Sequence, residues 1–420
     1  MRRQIEGSRA VAETVARCRP EVVCAYPISP QTHIIEAIGA MVKAGTLTPC
    51  EFINVESEFA AMSVSIGASA AGARAYTATA SQGLLFMMEA VYNAAGLGLP
   101  IVMTLANRAI GAPINIWNDH SDAMAARDTG WIQLFAETNQ EAADLHIIAF
   151  RLAEELSLPV MVCMDGFILT HAVEGIDVPE QGDVDAFLPA YEPRQVLDPD
   201  EPISIGAMVG PEAFTEVRYL AHLRQLDALE LIPALAVEFE TRFGRENGGL
   251  LHSYRTQDAT TIVVALGSVL GTIKDAVDRR RELGDRVGVV GITTFRPFPF
   301  DEVRRALANA RKVVVVEKAF SVGYGGVLSA DVASATHDAP ISLHTVVAGL
   351  GGRAITQRSI ETLIDDAAQD RLPLVTFLDL DLDIVNLERE RMDSVRRSGP
   401  SAENVLAKLG TVASRIGGSS

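Results

Sequence analysis

The sequence is poor in cysteine, and its cysteines are not arranged in Cys-x-x-Cys pairs. Cys18, Cys24, Cys50 and Cys163 are scattered through the first half of the chain. Iron–sulfur clusters and structural zinc sites need closely spaced thiolate ligands. We therefore expect neither kind of site from this chain alone, and we assign no residue to a metal. We also expect a cytoplasmic protein without disulfides, because the N-terminus lacks the apolar core of a signal peptide.

An excess of basic residues is also absent. The chain carries 36 Lys and Arg against 54 Asp and Glu, which gives a formal net charge of −18. Binding to the phosphates of nucleic acid needs clustered Lys and Arg side chains. We therefore expect no nucleic-acid partner, and we interpret the acidic surface as favouring solubility.

Long uninterrupted apolar runs are missing as well. The window from Ala90 to Asn107 contains no charged residue and reaches the ~18-residue length of a membrane-spanning helix. Gly96, Gly98 and Pro100 interrupt it, however, and such residues end helices. The pattern predicts a buried helix, a turn and a buried strand, and hence no membrane span.

The patterns that are present alternate between helix and strand, which predicts an α/β fold with parallel sheets covered by helices. We expect a first α/β domain at residues 1–180. A connecting segment with one long helix follows at 181–255. A second α/β domain is predicted at 256–360, and a C-terminal docking segment at 361–420.

Four polar side chains lie where predicted strands of the first domain end. They are Ser29 in YPISP, Glu58 in NVESEFAA, Gln82 in SQG and Arg108 in ANRAIGAP. The carboxyl ends of parallel strands meet at one edge of a sheet, which is where α/β proteins bind ligands. A guanidinium can bind a carboxylate with two hydrogen bonds, and a carboxylate in an uncharged neighbourhood can exchange a proton.

Each of these residues also has an ordinary structural explanation. Ser29 could cap the helix that follows it. Glu58 could be a first-turn glutamate that is favoured by the helix dipole. Arg108 could form an ion pair with Asp119 or Asp122. The residues alone leave these alternatives open.

Several long motifs that follow one another along the chain favour the functional roles over the structural ones. The sequence contains YPISPQTHIIE, NVESEFAAMSVSIGASAAGARAYTATASQGL, ANRAIGAPINIWNDHSD and AARDTGWIQLFAETNQEA, and later PVMVCMDGFILTH, FRPFP, SVGYGG and VAGLGGRAIT. Over roughly residues 5–360, these motifs closely resemble the thiamine-diphosphate-dependent 2-oxoacid:acceptor oxidoreductases, in particular the alpha subunit of pyruvate:ferredoxin oxidoreductases. The resemblance implies a thiamine-diphosphate-binding-type parallel sheet, of the pyrimidine-binding kind, and a transketolase C-terminal-like α/β domain.

The resemblance also implies roles for individual residues. Glu58 matches the family glutamate that bonds the aminopyrimidine ring of the cofactor and promotes removal of the thiazolium C2 proton. Arg108 matches the arginine that holds the carboxylate of the 2-oxoacid. Ser29 stands where the pyruvate enzymes typically have threonine, and it would help to bind the same carboxylate. Pro27 would shape the cofactor-binding end of its strand.

One expected motif is missing from this chain. The diphosphate and Mg²⁺ site of such enzymes normally begins with GDG, and the nearest string here is MDG at Met164. We therefore expect a beta subunit to supply the diphosphate and Mg²⁺ site. Gamma and iron–sulfur delta-type subunits are expected to pass electrons to ferredoxin or to an NAD-reducing flavin subunit. We interpret His120 in NDHSD as a hydrogen-bonded structural residue.

The implied reaction is the oxidative decarboxylation of a 2-oxoacid, with coenzyme A as co-substrate, to an acyl-CoA and CO₂. Ser29, Gly111 and Ser121 are all smaller than the residues that are usual in pyruvate enzymes. The substrate is therefore predicted to be either pyruvate or a bulkier aryl 2-oxoacid such as phenylglyoxylate. The alternative is a non-catalytic scaffold or binding subunit that retains the fold, although the presence of both Glu58 and Arg108 argues against it.

Overall fold

The computed structural model describes the backbone of residues 2–416 and the side chains of residues 2–410. Within these residues, the strands form a seven-stranded sheet, a six-stranded sheet and a two-stranded sheet. The strands are β1 (Arg3–Glu6), β2 (Val22–Ala25), β3 (Glu51–Asn54), β4 (Ala75–Thr79), β5 (Val102–Asn107), β6 (Ile132–Phe135), β7 (Val160–Asp165), β8 (Val173–Ile176), β9 (Leu251–Tyr254), β10 (Thr261–Ala265), β11 (Val287–Ile292), β12 (Thr294–Arg296), β13 (Lys312–Glu317), β14 (Ser342–Val347) and β15 (Val375–Phe377).

Helices separate most of the strands, as the sequence pattern predicts. They are α1 (Gly7–Arg17), α2 (Thr32–Lys43), α3 (Glu58–Ala70), α4 (Ser81–Phe86), α5 (Met88–Gly96), α6 (Ser121–Ala125), α7 (Asn139–Leu156), α8 (Gln181–Phe187), α9 (Phe214–Phe243), α10 (Val269–Glu282), α11 (Phe300–Ala306), α12 (Leu328–Ala335), α13 (Gln357–Ala368), α14 (Leu382–Ser394) and α15 (Ser401–Ile416), with a 3-10 turn at Leu350–Gly352. No described helix is both long and apolar enough to cross a membrane.

The seven-stranded sheet has the order β12-β6-β7-β5-β4-β2-β3. The pairs from β6 to β3 are parallel, and only β12 runs antiparallel to its neighbour. β4, β5, β6 and β7 are buried along their whole length. Burial on both faces explains why these segments read as continuous apolar runs instead of alternating patterns.

The six-stranded sheet has the order β15-β14-β13-β10-β11-β9. Its central pairs are parallel, and β9 is antiparallel to β11. The valine-rich runs TIVVA and KVVVVE form its buried centre. One apolar core cluster contains Met103 and Phe135 of the first sheet together with Ile262 and Val313 of the second, so the two sheets share a core.

The chain packs as two units, and the second begins at Phe377. In this second unit, Asn404 of α15 donates to the Glu388 carboxylate of α14 at 3.0 Å. The four-part division at residues 180, 255 and 360 stays a prediction. β9 of the second sheet begins at Leu251, a few residues before the predicted boundary.

The apolar run VGVVGITTF, residues 287–295, is typical of one continuous strand, but that prediction is wrong. The run divides into β11, which lies in the six-stranded sheet, and β12, which pairs antiparallel with β6 in the seven-stranded sheet. Thr293 separates them and donates its backbone N–H to Leu250 O at 3.2 Å. The residues of β11 and of β12 have the same apolar or β-branched character. The sequence pattern therefore could not show where the chain passes from one sheet to the other.

Candidate active site

Arg108 directly follows β5 and is buried, with 6% of its surface exposed. Its guanidinium donates from Nη1 to Ser29 O at 2.8 Å, from Nη2 to Gln82 Oε1 at 3.3 Å and from Nε to Asn115 O at 3.3 Å. Burial lowers the pKa of Arg108, while the nearby Asp122 carboxylate opposes that shift. The structure therefore brings Ser29, Gln82 and Arg108 together, as the strand pattern predicts.

Asp122 holds Arg108 through the backbone and not through an ion pair. Asp122 Oδ2 accepts the backbone N–H groups of Ser81 and Arg108, each at 3.0 Å. Asp122 Oδ1 accepts from Asn107 Nδ2 at 2.9 Å and from Ala123 N at 2.8 Å. Burial raises the pKa of Asp122 to about 6, although these hydrogen bonds oppose the rise. The sequence suggested Asp122 only as an ion-pair partner and missed its role in joining the two loops.

The segment around Ser29 is held by a neighbouring amide. α2 begins at Thr32, after Gln31, and no side chain caps it. The capping alternative for Ser29 is therefore wrong, and the Ser29 side chain is exposed, as is Pro27. The buried Gln31 side chain donates from Nε2 to Tyr26 O at 3.0 Å and to Ala78 O at 2.9 Å. These bonds fix the loop to the end of β4 and leave the Ser29 hydroxyl facing outward from the core.

Glu58 is the first residue of α3. Ser57 caps this helix, since its Oγ accepts from Ala60 N at 3.2 Å. Glu58 is buried, with 7% of its surface exposed. Its carboxylate forms no hydrogen bond or ion pair with any residue whose side chain the structure describes. The helix dipole favours a negative charge at this position, and the carboxylate remains without a protein donor.

Glycine at position 83 makes room for this carboxylate. A Cβ atom on Gly83 would lie 2.5 Å from Thr79 Oγ1 and 2.7 Å from Glu58 Oε1. Thr79 Oγ1 is also buried, and it has no hydrogen-bond partner among the described residues. Because Gly83 follows Gln82, which contacts Arg108, the space beside Glu58 adjoins the contacts of Arg108. The four residues predicted to share one edge of the sheet do so.

The Glu58 carboxylate and the Thr79 hydroxyl have no hydrogen-bond partner among the described residues, so they suit a ligand that donates hydrogen bonds. The amino group of an aminopyrimidine ring is such a donor, and the Glu58 carboxylate and the Thr79 hydroxyl can both accept from it. The residues present therefore fit the pyrimidine half of thiamine diphosphate.

The MDG string does not offer a comparable free carboxylate. Asp165 ends β7, and its Oδ1 lies 2.6 Å from His120 Nε2. Its Oδ2 accepts from Lys318 Nζ at 3.0 Å and from the Ser268 hydroxyl. Burial alone would raise the pKa of Asp165, but Lys318 and His120 hold it well below its ordinary value. Asp165 thus joins the two sheets, and the interpretation of His120 as a hydrogen-bonded structural residue is confirmed.

Comparison with known proteins decides the family. The profile described as pyruvate flavodoxin/ferredoxin oxidoreductase, thiamine-diphosphate-binding, matches residues 13–232, which is more than half of the chain. The chain belongs to this family. A second profile, pyruvate:ferredoxin oxidoreductase core domain II, matches residues 259–360.

Relatives in the family support the same assignment over most of the chain. Pyruvate synthase subunit PorA of Methanosarcina barkeri is 47% identical over 367 residues, which cover 86% of this chain and 91% of the relative. The PorA subunit of Methanothermobacter thermautotrophicus is 45% identical, with 86% and 94% covered. Ketoisovalerate oxidoreductase subunit VorA of Pyrococcus horikoshii is 37% identical, with 87% and 93% covered. The chain is therefore an oxidoreductase subunit of this family.

Solved structures confirm the predicted fold class. A chain of 2-oxoglutarate:ferredoxin oxidoreductase from Magnetococcus marinus superposes with a TM-score of 0.66 at 18% identity. The match covers 87% of this chain but 65% of the other, which is just under two thirds of its length. A split-gene transketolase superposes with a TM-score of 0.51 at 14% identity, with 87% and 99% covered.

Gly111 and Ser121, two of the three residues that are smaller than usual, are both in contact with other parts of the protein. A Cβ atom on Gly111 would lie 2.6 Å from Gln82 Nε2, so the Gln82 amide occupies that space. Ser121 Oγ accepts from Ile110 N at 3.0 Å and donates to Asp119 Oδ1 at 2.5 Å. Both residues therefore have a structural role.

Large apolar side chains are exposed in the segments that carry the site. They are Tyr26, Phe59, Phe86, Ile114, Ile116 and Trp117. The rings of Phe59 and Phe86 lie beside one another, with centroids 6.5 Å apart. Clusters of exposed apolar residues are typical of surfaces that contact another protein or a ligand.

Proposed function

We propose that this chain is the alpha-type subunit of a multisubunit pyruvate oxidoreductase. The complex would convert pyruvate and coenzyme A to acetyl-CoA and CO₂, and the two electrons released would pass to iron–sulfur clusters in partner subunits. The observation that carries the proposal is that Glu58, a residue with 7% of its surface exposed, has an unpartnered carboxylate beside the contacts of Arg108. The names of the PorA relatives, at 42–47% identity, support pyruvate as the substrate.

Glu58 and Thr79 would hold the pyrimidine ring of thiamine diphosphate. When bound, this cofactor supplies a carbon nucleophile for the keto carbon of a 2-oxoacid. Glu58 would accept a hydrogen bond from the ring and hold or release a proton at its carboxylate. A carboxylate without a competing protein donor is suited to that exchange. The small Gly83 leaves room for the Glu58 carboxylate and the Thr79 hydroxyl to lie side by side.

Arg108 would bind the carboxylate of the substrate. Its Nε and one hydrogen on each Nη atom are already used by protein oxygens. A guanidinium keeps a second hydrogen on each Nη atom, so each Nη atom still has one donor for a carboxylate. The exposed Ser29 hydroxyl, next to the carbonyl that Arg108 contacts, would add a further hydrogen bond. Pro27 would contribute to the cofactor side of the same loop.

A beta subunit would complete the site with the diphosphate and Mg²⁺ ligands. The absence of GDG and the full engagement of Asp165 by its neighbours support this division. The exposed apolar side chains around the site, among them Phe59 and Trp117, suit coverage by another chain. Gamma and iron–sulfur delta-type subunits, and ferredoxin or an NAD-reducing flavin subunit, would receive the electrons in the cytoplasm.

The preference for an aryl 2-oxoacid stays a prediction. The contacts of Gly111 and Ser121 do not favour it, because the space beside each is used by the protein. One methylene in an apolar pocket changes the free-energy difference between two substrates by only ~1 to 3 kcal/mol. A bulkier 2-oxoacid such as 2-oxoisovalerate is therefore expected to react more slowly than pyruvate but still to react.

The purified complex and the full isolated chain should be assayed side by side. Each is given thiamine diphosphate, Mg²⁺, coenzyme A, a dye acceptor and, in turn, pyruvate, 2-oxoisovalerate or phenylglyoxylate. We expect turnover by the complex only, with the highest kcat/KM for pyruvate. Turnover by the isolated chain would refute the shared site. A complex that is inactive with every 2-oxoacid would support the scaffold alternative, and a preference for phenylglyoxylate would overturn pyruvate as the substrate.

A further inference from the structure

Three metal-ligating side chains from distant parts of the chain meet outside the candidate active site. Glu6 lies at the end of β1, His33 in the first turn of α2, and His171 in the loop between β7 and β8. One donor atom of each lies within 4.8 Å of one donor atom of the other two. The rings of His33 and His171 stack loosely, with centroids 4.7 Å apart.

The composition of this cluster suits a transition-metal ion. Two imidazoles and one carboxylate are a frequent ligand set for Zn²⁺, with water in the fourth position. Imidazole also suits Ni²⁺ and Cu²⁺, whereas Mg²⁺ and Ca²⁺ prefer oxygen ligands. The cluster contains no cysteine, which is why the cysteine spacing in the sequence did not point to it.

The spacing requires only small side-chain movements. Tetrahedral Zn²⁺ with ligands at ~2.0 to 2.1 Å places its donor atoms about 3.4 Å apart. The present separations of up to 4.8 Å would close by rotation of the side chains. His33 is exposed and Glu6 is half-buried, so neither is locked in a core.

The hydrogen bonds within the cluster are compatible with metal binding. His33 Nδ1 lies 2.7 Å from Glu6 Oε1, and the proton between them occupies a position that a cation could take. Thr170 Oγ1 lies 2.7 Å from His171 Nδ1 and also accepts from Phe167 N at 2.7 Å. When His171 donates its Nδ1 proton to Thr170, its Nε2 lone pair remains for a metal, and such partners orient metal-binding histidines.

We propose that Glu6, His33 and His171 form a binding site for a divalent transition-metal ion of the zinc type. The ion would link the N-terminal strand, the first turn of α2 and the loop after β7. Because His33 is close in sequence to Ser29, the same ion would steady the loop at the edge of the first sheet. The proposal does not depend on the proposed reaction.

The test is calorimetric titration of the full chain, freed of metal by chelation, with Zn²⁺ and separately with Mg²⁺. We expect one Zn²⁺ per chain and no comparable Mg²⁺ binding. His33→Ala and His171→Ala should each weaken Zn²⁺ binding by at least about 10- to 100-fold, since even the loss of an outer partner of a metal ligand has that effect. Glu6→Gln should weaken it as well. The matched control is His337→Ala, since His337 is another exposed histidine beside a carboxylate, with its Nε2 2.9 Å from Asp338 Oδ2.

Thermal unfolding provides an independent readout. Zn²⁺ should raise the Tm of the parent chain and of His337→Ala, because an ion that binds only the folded state stabilises it, but not that of His33→Ala. His33→Gln, which is polar and closer in size, guards against a folding defect in the alanine variant and should behave in the same way. The proposal is overturned if the parent chain binds no stoichiometric Zn²⁺, or if His33→Ala and His337→Ala bind it equally.

Discussion

The guanidinium of Arg108 donates to the backbone carbonyl of Ser29 at 2.8 Å, although 79 positions separate the two residues in the chain. Their strands, β5 and β2, are not neighbours in the sheet, since β4 lies between them. The bond therefore spans the edge of the sheet and holds the YPISP loop above it. Arg108 therefore supports this loop. In the proposed site, it also donates hydrogen bonds to the substrate carboxylate.

Replacing Arg108 with Lys should weaken capture of the 2-oxoacid. A single ammonium would replace a planar fork that contacts the loop and is proposed to bind the substrate. The loss of one charged hydrogen bond costs ~1.5 to 3 kcal/mol, which corresponds to a roughly 10- to 150-fold higher KM. Steady-state kinetics of the assembled complex measure this effect.

Arg371→Lys is the control for that change. Arg371 is exposed and pairs with Asp366 at 2.7 Å, remote from the sheet edge. The complex that carries Arg371→Lys should have the same KM as the parent complex. If Arg108→Lys also leaves KM unchanged, Arg108 does not bind the substrate carboxylate.

Replacing Gly83 with Ala should impair activity more than stability. The new Cβ would press on Glu58 Oε1 and Thr79 Oγ1, which lie within 2.7 Å of its position. Displacement of Glu58 should lower the apparent affinity of the complex for thiamine diphosphate, measured from the cofactor dependence of turnover. Gly67→Ala is the control, because Gly67 lies in α3 with nothing within 4 Å of its Cβ position. That change should be neutral or stabilising by up to ~1 kcal/mol, and equal cofactor dependence in both variants would contradict the role of Gly83.

The strands and the shared edge were predictable because they depend on local patterns. The run VVCA predicts a strand at residues 22–26, and β2 occupies Val22–Ala25. Helix ends were less certain. The helix predicted from Pro30 begins at Thr32, because Gln31 bonds to Tyr26 O and Ala78 O before the helix starts.

Contacts between distant segments could not be predicted from spacing. Asp165 and Lys318 are 153 positions apart, and nothing in MDG or in KVVVVEK indicates that they pair. The contacts of Asp122 could not be predicted either. Asp122 accepts hydrogen bonds from backbone N–H groups, and such contacts have no sequence signature. The position of β12 in the first sheet likewise depends on tertiary pairing.

Asp165→Asn should destabilise the full chain by about 3 to 5 kcal/mol at pH 7, because it leaves the buried Lys318 without its counter-charge. The folded-state pKa of Asp165 lies well below its ordinary value. Its stabilising contribution is therefore complete above the unfolded pKa of ~3.9 and is lost as the pH falls through the lower folded pKa. Urea unfolding at several pH values should show the difference from the parent shrinking below about pH 4.

The exposed pair of Asp338 and His337 provides the comparison for that experiment. Asp338→Asn should change the free energy of unfolding by less than about 0.5 kcal/mol, as is usual for surface substitutions. An Asp165→Asn chain that is as stable as Asp338→Asn at pH 7 would show that the buried pair does not hold the two sheets together.

The role of Glu58 is tested most directly by proton exchange at the thiamine C2 atom, measured in the assembled complex for the parent and for Glu58→Gln. Glu56→Gln is the matched control, because Glu56 is an exposed glutamate in the same loop. We expect Glu58→Gln to slow this exchange by about 10²- to 10⁴-fold, the usual contribution of a general acid–base group. Glu56→Gln should leave the rate unchanged, and both complexes should assemble. Exchange in Glu58→Gln at the parent rate would show that the Glu58 carboxylate does not serve the cofactor.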